Sequence, residues 1–158
     1  MLVVVITLSV VLLDMISKYL TVQLLLPLDQ DVTVIPYVLD FSYVENRGAA
    51  FGILSESRWV FMVLSIVLMV FIVLFIKYSK IKHVLFLTSA SLILGGGIGN
   101  MIDRIFVGYV VDFIKVTFID FPVFNIADCA VVIGTILMVV YFIYDSVTTA
   151  KKTEGKKN

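Results

Sequence analysis

The sequence is short of most residues on which water-soluble catalysis relies. It contains one cysteine, Cys129, and one histidine, His83, in 158 residues. A lone cysteine excludes an intramolecular disulfide framework and a Cys-x-x-Cys metal site, and a lone histidine leaves little scope for zinc. Charge is scarce as well. Asp, Glu, Lys and Arg make up 15% of the chain and cancel to a formal net charge of zero, and no basic face interleaved with aromatics points to nucleic acid. What the chain has in abundance is hydrocarbon: 61% of residues are hydrophobic and the mean hydropathy is +1.10. A soluble domain is nearer half apolar and a quarter charged, so the composition is that of an integral membrane protein.

The apolar residues fall into four runs, about 2–22, 59–76, 84–102 and 124–144, each long enough for a helix to cross a bilayer. The first run lacks a basic leader and a small-residue cleavage site, so it reads as a membrane helix and not as a signal peptide. Residues 27–58 are different. Asp29, Asp31, Asp40, Glu45 and Glu56 are scattered through them, and Val32–Ile35 and Tyr37–Val44 are β-branched and aromatic, which predicts short strands in a small extramembrane layer. Residues 104–123 form a second polar loop with Asp112, Lys115 and Asp120. Lys77, Lys80 and Lys82 crowd the short connection between the second and third runs, and four more lysines sit in a polar tail, 148–158, expected to be disordered. The positive-inside rule places these lysines and both termini in the cytoplasm, with both larger loops outside. The whole chain, 1–158, reads as one integral membrane domain.

A short pattern occurs twice: Asn100-x-x-Asp103 and Asn125-x-x-Asp128. Residues three apart share a helix face, so each carboxyl has an amide beside it. In the expected topology the third helix runs outward to Asp103 and the fourth runs inward from Asp128. About 16 residues lie below Asp128, which raises it roughly 24 Å above the inner edge of a hydrocarbon core of about 30 Å. Asp14, spaced four residues from Lys18, falls in the outer half of the first helix. The pair either neutralises itself or serves the site. Carboxylates at such depth are expensive and mark function. Two of them close together tend to share one proton, so that one activates water while the other donates to a carbonyl oxygen. A proton or cation relay and a non-catalytic membrane scaffold are the alternatives. No ionisable residue stands in the inner half of the spans, where a relay would need one.

Other features have plainer readings. Gly95, Gly96, Gly97 and Gly99 lie inside an apolar helix with no lysine following, which fits close helix packing better than a phosphate loop. Cys129 adjoins Asp128 but has no histidine partner, because His83 belongs to the opposite, solvated connection. Arg104 is an interfacial anchor or a partner for a site carboxylate.

Taken in order, Asp14-x-x-Ser17-Lys18, Asn46-Arg47-Gly48-Ala49-Ala50-Phe51-Gly52, the segment from Gly96 to Arg104, Val110 to Phe113 and Phe124 to Asp128 resemble the bacterial lipoprotein signal peptidase (signal peptidase II) family over nearly the whole chain. Ser17 stands where threonine is commoner. The resemblance implies an intramembrane aspartic endopeptidase in the bacterial cytoplasmic membrane, with its active site near the outer face. It would cut prolipoproteins on the amino side of a cysteine that carries diacylglycerol. The implied fold is a four-helix membrane bundle with a small outer β-sheet cradle. Asp103 and Asp128 would be the catalytic dyad. Asp14, Lys18, Asn46, Gly48, Asn100, Arg104, Asp112 and Asn125 would support it or contact substrate. No metal or cofactor is implied, and the partners would be the lipidated substrate and membrane phospholipid, with the enzyme a monomer.

Overall fold

The computed structural model describes residues 1–48 and 58–154. The expectations for Glu56, for Ala49 to Gly52 and for the last four residues of the tail therefore lie outside the described residues. Four helices dominate: α1 (Leu2–Leu24), α2 (Arg58–Ser79), α3 (Val84–Phe106) and α4 (Ile126–Glu154). All four are long and apolar enough to cross a membrane, and they join a three-stranded antiparallel sheet built from β1 (Val32–Ile35), β2 (Leu39–Asn46) and β3 (Val110–Val116).

α3 is the central helix. Phe86, Ser89, Ala90, Ser91, Leu94, Gly96 and Gly99 are buried along it, whereas α1, α2 and α4 turn rows of Val, Leu and Ile outward. Between apolar helices in lipid the hydrophobic effect offers little, so small residues and hydrogen bonds govern packing. A Cβ on Gly96 would run into the Ala127 carbonyl oxygen, and one on Gly99 would stand 2.5 Å from Asp14 Oδ2. The glycines thus bring α4 and α1 against α3 at the end of the bundle that carries the sheet. Thr7 Oγ1 donates to the Ser91 carbonyl at 3.2 Å and ties α1 to α3 lower down. At the far end, an aromatic cluster of Phe75, Phe86, Tyr141 and Phe142 closes the bundle.

Several expectations are amended. The strand expected over Tyr37–Val44 starts at Leu39 and runs to Asn46, because Tyr37 takes a left-handed turn conformation, φ 62°. The second polar loop contains β3, whose first four residues are buried. Val110–Phe113 alternates too weakly to announce a strand, and only the β2 edge gives it a partner: Asn46 pairs with Val110, Glu45 with Val111 and Val44 with Asp112. α4 continues through Glu154, so most of the expected disordered tail is helical. Ala150, Lys151 and Lys152 are good helix formers, and the first breaker is Gly155. His83 is exposed, as expected of a loop residue, but it also caps α3, its Nδ1 accepting from the Leu85 amide at 3.2 Å.

Candidate active site

The ten residues singled out in the sequence converge at the sheet end of the bundle. α4 begins there with a reciprocal cap. Asn125 Oδ1 accepts from the Asp128 amide at 2.9 Å, and Asp128 Oδ2 accepts from the Asn125 amide at 3.2 Å. That explains the spacing in Asn-x-x-Asp, since an N-cap residue and the third residue of a helix satisfy each other's orphan donors. Asp14 supplies a further cap from another helix: its Oδ1 accepts from the Ala127 amide at 2.9 Å. Negative charge is favoured at a helix start, and two carboxylates use this one.

Lys18 is the hub of the buried charge. Its Nζ lies 2.7 Å from Asp14 Oδ2, 3.0 Å from Asp103 Oδ2 and 2.9 Å from Asn100 Oδ1. Of these three contacts the one to Asn100 Oδ1 is a hydrogen bond, and the two carboxylates face the ammonium as ion pairs. Lys18 and Asp14 are therefore not a self-contained pair. A buried charge without partners would cost several kcal/mol, and Lys18 links α1 to α3 through Asp103 and Asn100. Asp103 Oδ2 also accepts from the Val111 amide at 3.1 Å, so this carboxylate anchors the start of β3.

Asp112 and Asp128 are framed differently, by amides. Asp112 Oδ1 accepts from Asn125 Nδ2 at 2.6 Å and its Oδ2 from Asn46 Nδ2 at 2.8 Å. Asn46 reaches it as a diagonal neighbour on one face of the sheet, two residues along from its own partner Val110. Asn46 Oδ1 in turn accepts from the Gly48 amide at 3.1 Å, a turn closed by its own side chain. Asp128 Oδ1 accepts from Asn100 Nδ2 at 2.7 Å. Asn125 thus holds both acids, one through its side chain and the other through its backbone. Burial pushes the Asp112 carboxyl up to about 6; the hydrogen bond from Asn46 pulls it down, and the charge of Asp128 adds to the rise. Among the described residues no hydrogen bond joins Asp103 to Asp128; they are linked through Lys18 and Asn100.

Arg104 Nη1 donates to the Asn100 carbonyl at 3.2 Å, and its guanidinium faces the charges of Asp128, Asp112 and Asp103. With Asn100 and Asp128 it stands at the head of a groove between α2, α3 and α4. The backbone amides of Val111 and Ala127 and the bare Gly99 were not legible as site groups. The Ala127 amide had a signal, because first-turn amides of any helix need acceptors. Among the described residues, no three His, Cys, Asp or Glu side chains cluster as metal ligands.

Fold and site together define a multi-pass membrane protein with a buried, acid-rich polar centre at one end of its helix bundle. The family description "Signal peptidase (SPase) II" matches residues 6–144. The lipoprotein signal peptidase of Lactobacillus johnsonii is 43% identical over 114 residues, 72% of this chain and 74% of that one. The lipoprotein signal peptidase of Halothermothrix orenii is 40% identical over 137 residues, 87% and 92% of the two chains. Two solved chains, described as bacterial membrane enzyme structures obtained by the in meso method at 2.3 and 1.9 Å resolution, superpose with TM-scores of 0.83 and 0.81 at 33% identity. They cover 91% and 90% of this chain, and 88% and 93% of their own lengths are matched. The chain belongs to the signal peptidase II family, membrane proteases that process lipoproteins.

Proposed function

We propose that this protein is an aspartic endopeptidase that removes signal peptides from diacylglyceryl-modified prolipoproteins, cutting on the amino side of the lipidated cysteine. The sheet and the site lie at the outer face of the cytoplasmic membrane, both termini are cytoplasmic, and the enzyme acts as a monomer among phospholipids. Asp128 is the base. It sits in the first turn of α4, where negative charge is accommodated, and it lines the groove. It takes a proton from water, whose oxygen attacks the scissile carbonyl.

The sequence expectation paired Asp128 with Asp103; the geometry favours Asp112 as its partner. The observation that carries this is Asn125, which hydrogen-bonds both Asp112 and Asp128. Asp112, pushed up to about 6 by burial, is the acid that in its protonated form donates to the carbonyl oxygen as the tetrahedral centre forms. Asp103 Oδ2 is already ion-paired with Lys18 and accepts from the Val111 amide. Its role is to hold Val111, and through it the neighbouring Asp112, in place. Asn46 and Gly48 cover Asp112 from the sheet side and meet the substrate chain.

The test uses protein reconstituted in liposomes with a diacylglyceryl-modified precursor. Asp112→Asn and Asp128→Asn should each lower kcat by about 10³-fold or more, the scale of general acid–base catalysis. Asp103→Asn should cost about 10- to 100-fold, as misplacement of a catalytic group does, and should leave the shape of the pH profile intact. A loss in Asp103→Asn equal to that in Asp128→Asn, with Asp112→Asn active, would return the pair to Asp103 and Asp128.

A further inference from the structure

The formal net charge of zero hides a separation of charge along the bundle. At the sheet end, Lys18, Arg47 and Lys115 each face a carboxylate in an ion pair. At the far end, Lys77, Lys80, Lys82 and Lys151 are all exposed, and among the described residues none of them is ion-paired. Two acids, Asp145 and Glu154, belong to this end of α4, which leaves the balance positive.

Two elements bring these lysines to one place. Lys80 takes a left-handed conformation, φ 58°, that turns the chain out of α2 and into the connection to α3. His83 ends that connection, and its ring lies 5.2 Å from that of Tyr141 and 5.7 Å from that of Tyr144 on α4. The segment holding Lys80 and Lys82 is thereby fixed against α4. Lys151 follows Tyr144 by seven residues, close to two helical turns, so it returns to the same face of α4 about 10 Å further along the axis. That placement exists because α4 stays helical through Glu154. Toward the middle of the spans the neighbouring surface is apolar: Val73 and Leu74 of α2 and Val140 and Ile143 of α4 are exposed.

An occupant of this face must offer negative charge to the lysines and hydrocarbon to the helix surfaces beside them. A free anion lacks the second, and an acidic polypeptide would strand polar backbone against hydrocarbon. A phospholipid has both. We infer that the end of the bundle away from the sheet binds the headgroup of an anionic phospholipid, with Lys80 and Lys82 on one side of the phosphate and Lys151 on the other. A zwitterionic lipid is disfavoured, because its own ammonium already offsets its phosphate. Lysine suits this depth, since its stem lies along apolar surface while the ammonium reaches the headgroups. The inference does not depend on the peptidase reading.

The experiment titrates the full chain in neutral detergent with phosphatidylglycerol or phosphatidylcholine of the same acyl chains, and reads bound lipid by native mass spectrometry. Phosphatidylglycerol should bind about tenfold more tightly or better. Lys80→Gln and Lys151→Gln should each weaken it about fivefold, the worth of one lysine at an anionic surface, and the double variant about 25-fold. Phosphatidylcholine binding should be the same in all of them, which shows that the variants are folded. Lys115→Gln, at the sheet end, should leave the preference unmoved. Equal affinity of the parent for the two lipids would overturn the site without reference to any variant, as would a preference that survives the double substitution. So would displacement of phosphatidylglycerol by equimolar inorganic phosphate, or tighter binding of a hexaglutamate peptide than of the lipid.

Discussion

At the scale of single residues, the site separates its acids by what faces them. Asp14 and Asp103 contact Lys18, whereas Asp112 and Asp128 contact asparagine amides. In the proposed mechanism Asp112 is the group whose titration governs activity. It is neutral below about 6, and above that pH the fraction able to donate a proton falls tenfold per unit, which gives kcat/KM an alkaline limb. The Asn46 amide stabilises the ionised form of Asp112. Asn46→Ala should therefore let the Asp112 pKa rise and move the alkaline limb to higher pH, as read from kcat/KM profiles; a downward or absent shift would contradict the assignment. Lys18→Met should act on stability instead. It removes the ammonium ion-paired with buried Asp14 and Asp103, which costs about 3–5 kcal/mol and should appear as a lower unfolding temperature in detergent.

At the scale of elements, the junction of α3 and α4 positions Asp128. The approach depends on Gly96, where any Cβ collides with the Ala127 carbonyl and stands 2.8 Å from Val131 Cγ2. Backbone cannot give way as a side-chain tip can. Gly96→Ala should thus push α4 outward and pull Ala127 and Asp128 from their partners on α1 and α3. The expected cost is about 1–3 kcal/mol in unfolding free energy and about 10²-fold in cleavage. Parent-like turnover would mean that the helix spacing is not critical. The sheet works in the same way, since β3 reaches the site only because β2 pairs with it along Leu39–Asn46.

At the scale of the whole molecule, the lysine-rich connection and the sheet lie at opposite ends of the bundle. The proposed orientation is testable in a Cys129→Ser background. Tyr37→Cys, at an exposed hairpin tip, should react with an impermeant maleimide applied to intact cells, and Lys82→Cys should not. The reverse pattern would invert the topology and move the site to the wrong face for a secreted precursor.

Much of this was legible in the sequence for a physical reason: spans, polar loops and membrane acids are one-dimensional signals. Uninterrupted hydrocarbon forces a helix, and a carboxyl such as Asp14 or Asp128 within it demands a purpose. Asn125-x-x-Asp128 could be read as a local unit because its two residues cap one helix end. Pairing across elements could not be read this way. The repeated Asn-x-x-Asp made Asp103 look equivalent to Asp128, yet Asp103 turns to Lys18 and Val111, and the acid sharing Asn125 with Asp128 is Asp112, from a segment with no clear strand pattern. Composition and periodicity thus determined the membrane bundle and the inventory of its acids. Only the tertiary structure decided which acids share a partner, because that depends on helix spacing set by Gly96 and Gly99 and on a strand register set by β2.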